Sequence, residues 1–100
     1  MNPSEIRFHP AAVEEATAAR RWYFERSRSA ASAFDESLAL AMQQVADHPN
    51  RWAKHLHGTR HIVLQKFPYV VVYRVLESVV EIVAVAHEKR RPGYWKSRNN

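Results

Sequence analysis

The densest set of reactive side chains in the sequence is the stretch HEKRRPGYW at positions 87–95. It carries an imidazole at His87, guanidinium groups at Arg90 and Arg91, and a phenol at Tyr94. Imidazole and phenol can exchange protons with a substrate, and a guanidinium group can hold a phosphate through two hydrogen bonds. RNA cleavage by the ribose 2′-hydroxyl needs an acid, a base and cations for the developing charge. These four residues are therefore the candidate catalytic residues.

The same stretch also has a purely structural interpretation. It directly follows the apolar run VVEIVAVA, and Pro92-Gly93 is a turn signal. After such a turn, the rings of Tyr94 and Trp95 can fold back on a sheet and bury a large area. In this interpretation the stretch is a C-terminal anchor, and the basic residues before the turn are exposed and have no specific role.

Three closely spaced histidines, His55, His57 and His61, raise the possibility of a zinc site because imidazole is a common zinc ligand. No carboxylate or cysteine nearby completes a ligand set, and the chain contains no cysteine at all. A phosphate-binding loop, a dinucleotide fingerprint, a nucleophile elbow and paired catalytic carboxylates are also missing from the sequence. We therefore expect neither a metal nor a cofactor, and most common enzyme classes are excluded.

The segment RRWYFER at positions 20–26 mixes arginines with aromatic residues. Such a mixture can stack on bases and hold phosphates, as in proteins that bind single-stranded nucleic acid. Carboxylates at Glu14, Glu15 and Glu25 offer a simpler interpretation, in which the charges form a solvated, ion-paired helix face. The sequence favours the second interpretation.

The elements that must position these residues follow from the spacing of apolar side chains. In the first half of the chain, apolar residues repeat at spacings of four, three and four in two successive runs, which predicts a helical hairpin. Ser27, Ser29 and Ser32 are candidate N-caps of the second helix, and Pro49 ends it. Runs rich in Val, Ile, Tyr and Phe predict the strands. The predicted ranges are a strand at 6–8, a first helix at 11–27, and strands at 61–67, 69–77 and 79–86.

This order, β-α-α-β-β-β, predicts an α+β fold with a helical hairpin packed on a small, mostly antiparallel sheet. The 100 residues are expected to form one domain spanning 1–100, and 46% apolar with 25% charged residues is typical of globular proteins. No apolar run approaches a membrane span, and the N-terminus lacks a signal-peptide core, so we expect a cytoplasmic protein. The net charge of +5 favours polyanionic or acidic partners.

Three phrases of the second half resemble the RelE/ParE superfamily of toxins from type II toxin–antitoxin systems, which includes proteins described as plasmid stabilisation proteins. They are FPYVVVYRV at 67–75, EIVAVAH at 81–87 and RRPGYW at 90–95. The resemblance implies a small α+β fold and a growth-inhibiting toxin. It also implies a cognate antitoxin, whose C-terminal segment is often acidic and folds as it wraps around the toxin.

Members of this superfamily differ in their target. RelE-like toxins cleave messenger RNA in the ribosome with strand lysines and arginines and a C-terminal tyrosine, whereas ParE-like toxins inhibit DNA gyrase. In this sequence Tyr94 matches the tyrosine, but the four positions of the basic set hold His61, Val63, Val70 and Glu88. The resemblance thus favours a ParE-like toxin that acts by binding DNA gyrase or another cellular machine. The alternative is a RelE-like ribosome-dependent mRNA endonuclease that uses the candidate catalytic residues.

Overall fold

Two helices lie against one face of a five-stranded sheet in the computed structural model, which describes residues 5–98. The sheet order is β1-β5-β4-β3-β2; β1 runs parallel to β5, and the other neighbours are antiparallel. The predicted α+β fold is therefore confirmed, and the structure adds the two-residue strand β2. The elements are β1 (Glu5–Phe8), α1 (Pro10–Arg26), α2 (Arg28–Asp47), β2 (Ala53–Lys54), β3 (Arg60–Val63), β4 (Tyr69–Leu76) and β5 (Val79–His87), with short 3-10 helices at Leu56–Gly58 and Tyr94–Ser97.

The helical hairpin turns on a single residue, Ser27. Its backbone N–H closes α1 by donating to the carbonyl of Tyr23 at 2.8 Å, and its side-chain oxygen accepts from the N–H of Ala30 to cap α2. An extended φ of −166° at Ser27 separates the two helices. Of the three serines predicted as caps, Ser27 is thus the N-cap of α2. Neither α1 nor α2, nor any other helix within residues 5–98, is long and apolar enough to cross a bilayer.

The apolar faces predicted from the residue spacing form the core between the hairpin and the sheet. Phe34 is fully buried at the centre, stacked 5.5 Å from the ring of Tyr23 and in edge contact with Phe67 and Tyr69. Small alanines on both helices allow the close approach, because they leave no bulk between the backbones. The buried helix residues are Ala12, Ala19, Ala31, Phe34, Ala41 and Val45.

The third predicted strand is shorter than expected, since β3 ends at Val63 and not at residue 67. The following residues form a tight turn in which Lys66 has a φ of 70° and the N–H of Leu64 donates to the carbonyl of Tyr69. Leu64 is buried even though it lies outside a strand. The apolar pattern of the sequence therefore extends past the end of β3, because a turn residue such as Leu64 can also supply a core side chain.

Strand β5 is central, but only part of it has a neighbour on each side. Strand β4 pairs with it along its whole length, apart from a bulge between Val72 and Tyr73. Strand β1 pairs only with Val79–Ile82, because the chain leaves the sheet at His9 to begin α1. Among residues 5–98, no strand therefore neighbours β5 on its β1 side from Val83 to His87. This open edge lies beside the candidate functional residues.

Candidate functional site

The C-terminal stretch folds back across the end of β5 and covers the sheet face opposite the helices. Gly93 makes the turn with a φ of 90°, a conformation that favours glycine, and a Cβ at this position would lie 3.2 Å from Nε2 of His57. Trp95 then packs against Val72, Val83 and Ala84 and is only 2% exposed. This placement agrees with the C-terminal anchor interpretation of the sequence.

The anchor is held by a carboxylate on the first helix. Glu15 accepts a hydrogen bond of 2.6 Å from the Tyr94 hydroxyl and two, of 2.9 and 3.1 Å, from the guanidinium of Arg98. Arg90 lies 4.0 Å away as a weaker ion pair. The side chain of Glu15 is only 15% exposed, so the interpretation of Glu15 as part of a solvated face was wrong.

A signal for this role exists in the sequence. Glu15 lies three residues after Ala12 and four before Ala19, which are both buried, so it shares their helix face. A carboxylate on a buried face requires hydrogen-bond donors or cations, because an unpaired buried charge is costly. The missing information was the identity of the donors, since Tyr94 and Arg98 are 79 and 83 residues away along the chain.

Glu15 and Arg98 also fill the open edge of β5. The backbone N–H of Val85 donates to Glu15 Oε1 at 3.0 Å, and the carbonyl of Val83 accepts from Arg98 Nη1 at 3.1 Å. A neighbouring strand would supply one acceptor and one donor at these points. The ion pair supplies the same two groups from side chains, so it satisfies a backbone edge that would otherwise lose its hydrogen bonds on burial.

The hydroxyl of Tyr94 is held in its protonated form. Burial raises its pKa, and both the hydrogen bond to Glu15 and the charge of that carboxylate add to the rise, while Arg90 and Arg98 oppose it. For Arg98, burial alone would lower the pKa, but the hydrogen bond and charge of Glu15 outweigh it, and the pKa is raised. At neutral pH the site therefore contains a neutral phenol and a guanidinium cation that both donate to Glu15.

We expect the tyrosines of the folded protein to titrate only at strongly alkaline pH. Burial raises the pKa of all four tyrosines, to about 12 for Tyr73. Their contribution to stability is complete below about pH 10, the unfolded pKa, and is lost as pH rises toward the folded values. Ultraviolet absorbance of tyrosinate measures this: the native protein should ionise above pH 10 and the denatured protein near it. An absorbance transition near pH 10 that the native protein shows and the Tyr94→Phe variant lacks would contradict the burial of Tyr94.

The four candidate catalytic residues do not all come together. Arg90 places its guanidinium 3.8 Å from the centre of the Tyr94 ring, in a cation–π contact. Nδ1 of His87 accepts from the backbone N–H of Lys89 at 3.1 Å, and its ring contacts Tyr69. Arg91 is exposed. Within residues 5–98, neither His87 nor Arg91 shares a hydrogen bond or an ion pair with Tyr94, so a catalytic set of four remains a hypothesis.

A groove of about 460 Å³ lies between α1 and the open edge of β5. Its walls are mostly apolar, with Trp22 half exposed at the rim and Tyr69 and Pro68 opposite. Its polar lining comes from Glu15, His87 and Arg90, whose side chain is 54% exposed. We call this the α1–β5 groove.

Two arginines of α1, Arg20 and Arg26, have partners within the protein. Arg20 forms an ion pair with Asp35 at 2.9 Å, across the helical hairpin. Arg26 stacks 3.6 Å from the centre of the Trp22 ring and donates to the carbonyl of Trp22 at 2.8 Å. The ion pair agrees with the predicted ion-paired helix face for Arg20, whereas Arg26 is held by the ring and the carbonyl of Trp22.

The three histidines lie near one another but in different local structures. The rings of His55 and His61 are 4.6 Å apart, and His57 lies in a 3-10 turn with a φ of 59°. Burial, followed by the charges of His61 and His57, lowers the pKa of His55. In the part of the chain that the structure describes, no group of three or more His, Cys, Asp or Glu side chains has a metal-binding arrangement.

Comparison with known proteins agrees with this geometry. The family model for the ParE toxin of type II toxin–antitoxin systems, parDE, matches residues 6–92. A solved structure described as the chromosomal ParDE toxin–antitoxin system from P. aeruginosa has a similar fold, with a TM-score of 0.72 and 16% identity over 84% of this chain and 95% of that one. No curated protein sequence matches the chain. Because the family model covers most of the sequence, the chain belongs to the ParE toxin family of type II toxin–antitoxin systems.

Proposed function

We propose that this ParE-family toxin inhibits growth by binding DNA gyrase, and that a cognate antitoxin neutralises it by occupying the α1–β5 groove. The observation that carries the first half is the state of Tyr94. Its hydroxyl donates a hydrogen bond to Glu15, and its ring makes a cation–π contact with Arg90. The residue therefore holds the C-terminal anchor in place. A tyrosine in this environment supports a binding surface better than it supports proton transfer to RNA.

A second observation comes from the four positions where RelE-like toxins carry basic residues. His61, Val63, Val70 and Glu88 all line one hollow of about 180 Å³ on the sheet face that Trp95 partly covers. Two valines and a carboxylate give no stabilisation to the negative charge that builds up when a phosphodiester is cleaved. The electrostatics of this hollow therefore favour action by binding.

The alternative, a ribosome-dependent mRNA endonuclease, is supported by one observation. His87 and Arg90 line the same hollow, so an imidazole and a guanidinium are present beside it. In this alternative they replace the missing strand cations, and Tyr94 must leave Glu15 to take part.

The groove supports the proposal of an antitoxin partner. Its apolar walls fit apolar side chains, and Arg90 and His87 at its rim fit carboxylates. The net charge of +5 favours encounter with an acidic segment. A segment that combines apolar and acidic residues and orders on binding satisfies all three features.

Induced expression separates the two targets. We expect growth arrest with double-strand DNA breaks and an SOS response while translation, followed by pulse labelling, continues. Tyr94→Phe should remain toxic, because the ring and its contact with Arg90 are retained. Co-expression of the cognate antitoxin should restore growth. Early arrest of translation with mRNA cut at codons would overturn the gyrase target. So would complete loss of toxicity in Tyr94→Phe with unchanged folding and antitoxin binding.

A further inference from the structure

Phe24, near the end of α1, lies outside both the core and the α1–β5 groove. Its ring is 45% exposed, and it follows Trp22 by two residues, which places it about 200° further around the helix. Thr17, Arg20 and Arg21 lie one or two helical turns before it on the same side. These four residues line an open hollow of about 290 Å³, separate from the groove.

The single-residue turn at Ser27 adds a further guanidinium to this side of the helical hairpin. Cζ of Arg28, the first residue of α2, lies 5.7 Å from the centre of the Phe24 ring, and Cζ of Arg20 lies 5.9 Å from it. Both distances are near the outer limit of a cation–π contact, about 6 Å, so the ring is flanked by cations but remains open to solvent. We call this group the Phe24 surface; its members are Thr17, Arg20, Arg21, Phe24 and Arg28.

The cations of this surface are only partly neutralised. Across residues 5–98, Arg20 bonds to Asp35 through Nε alone, at 2.9 and 3.0 Å, so its two terminal nitrogens are available. In the same range, the side chains of Arg21 and Arg28 form neither an ion pair nor a hydrogen bond. Glu25, one residue past the ring, points about 100° further around the helix and lies off the surface. The surface therefore has three guanidiniums against one paired carboxylate.

An open ring among free cations suits a narrow class of ligand. Guanidiniums hold phosphates and carboxylates alike, so charge alone does not distinguish a nucleic acid from an acidic protein. The ring adds a stacking platform, which a nucleobase uses and a carboxylate does not. Bases within a duplex are already stacked on one another, so only a single strand can place a base on Phe24. The ring and the cations together therefore fit a single-stranded nucleic acid.

We infer that the Phe24 surface binds single-stranded DNA, with a base stacked on Phe24 and neighbouring phosphates held by Arg21 and Arg28. The choice of DNA rests on the proposed gyrase target, because gyrase acts on DNA. The site is on the side of α1 away from Trp22, so a bound strand leaves the α1–β5 groove open. A toxin held on DNA meets a DNA-bound target at a raised local concentration.

Two substitutions of Phe24 test the stacking. Phe24→Leu keeps an apolar side chain but removes the face of the ring, whereas Phe24→Trp enlarges it. In fluorescence anisotropy with a labelled oligothymidine at low salt, we expect Phe24→Leu to bind about tenfold more weakly than the unsubstituted toxin, and Phe24→Trp at least as tightly. Both variants should fold, because the ring lies outside the core, and thermal unfolding verifies this. Equal affinity of Phe24→Leu and the unsubstituted toxin would overturn the stacking.

The salt dependence of binding tests the phosphate contacts. For single strands, the logarithm of the affinity falls with the logarithm of the salt concentration, with a slope of about −0.7 for each phosphate neutralised. Arg21→Gln and Arg28→Gln should therefore each make the slope less steep by about 0.7. Arg7→Gln is the matched control, since it removes one charge from an exposed residue of β1 and should leave the slope unchanged. Slopes that do not change in Arg21→Gln and Arg28→Gln would contradict the phosphate contacts.

Competition with unlabelled ligands tests the class of partner. Oligothymidine should displace the labelled strand, whereas a DNA duplex and polyglutamate at equal charge should displace far less of it. Equal displacement by polyglutamate would overturn DNA in favour of an acidic protein, equal displacement by the duplex would overturn the stacking, and tighter binding of oligouridine would overturn DNA in favour of RNA.

The binding assay contains no gyrase, so the two proposals can fail separately. A toxin that binds oligothymidine as expected but arrests translation and leaves DNA intact would overturn the gyrase target and leave the Phe24 surface standing. A toxin that produces DNA breaks but binds no single strand would overturn this inference alone.

Discussion

Glu15→Ala should lower the free energy of unfolding by about 3 kcal/mol, because it leaves a partly buried guanidinium and a buried strand edge without their acceptor. Arg98 is 17% exposed and would lose its ion pair, while Tyr94 and the N–H of Val85 would lose their hydrogen bonds. In a domain of this size, such a loss lowers the melting temperature by more than about 10 °C. Circular dichroism during thermal and urea unfolding measures the change.

The neighbouring Glu14 provides the matched control. It is a carboxylate on the same helix but is exposed, so Glu14→Ala should change stability by no more than about 0.5 kcal/mol. Glu15→Gln should fall between the two, as the amide oxygen still accepts from Val85 or Tyr94 but the charge that pairs with Arg98 is lost. Equal effects of Glu14→Ala and Glu15→Ala would contradict the central role of Glu15.

Trp95→Ala should be at least as disruptive, with a loss of about 3–5 kcal/mol for removal of a buried indole. The ring is 2% exposed and packs on Val72, Val83 and Ala84, with His55 5.1 Å away. Its N–H has no hydrogen-bond partner within residues 5–98, so packing holds the ring. Trp95→Phe should therefore recover much of the stability. Urea unfolding of the three forms gives the comparison.

Trp22 provides the opposite control for Trp95. It is 50% exposed at the rim of the α1–β5 groove, so Trp22→Ala should change the unfolding free energy far less than Trp95→Ala does. Exposed tryptophans at binding surfaces often contribute strongly, and we expect Trp22→Ala to weaken antitoxin binding by more than about tenfold. Normal antitoxin binding by Trp22→Ala would show that the groove is not the docking site. Full stability of Trp95→Ala would show that the anchor is not part of the core.

Much of the fold could be predicted because local patterns determine it. The spacing that includes Phe34, Ala41 and Val45 predicts a helix face, and all three are buried against the sheet. Ser27 could be named as one of three candidate caps because a serine side chain suits the start of a helix, and the structure selects it among the three. The end of β3 could not be predicted, since Leu64 is apolar and buried whether it lies in a strand or in a turn.

The candidate site could be predicted only in part. The sequence singled out Tyr94 and Arg90, which are in contact in the structure, and it also identified the turn at Gly93. It did not indicate Arg98, which lies at the C-terminal end among other charged and polar residues and has no periodic pattern around it. The role of Arg98 depends on contacts with α1 and with the backbone of β5, and neither is local.

By itself the sequence determined the helical hairpin, the strand order along the chain and the RRPGYW signature, because these depend on residue spacing, turn chemistry and matched motifs. Only the tertiary structure decided that Glu15 and Arg98 complete the edge of β5 and that the hydroxyl of Tyr94 donates a hydrogen bond to Glu15. The physical reason is that a hydrogen bond depends on the distance between its donor and acceptor in the folded structure, and not on their separation along the chain. A carboxylate that looks solvated in the sequence becomes the centre of a buried cluster once residues about 80 positions apart are folded against it.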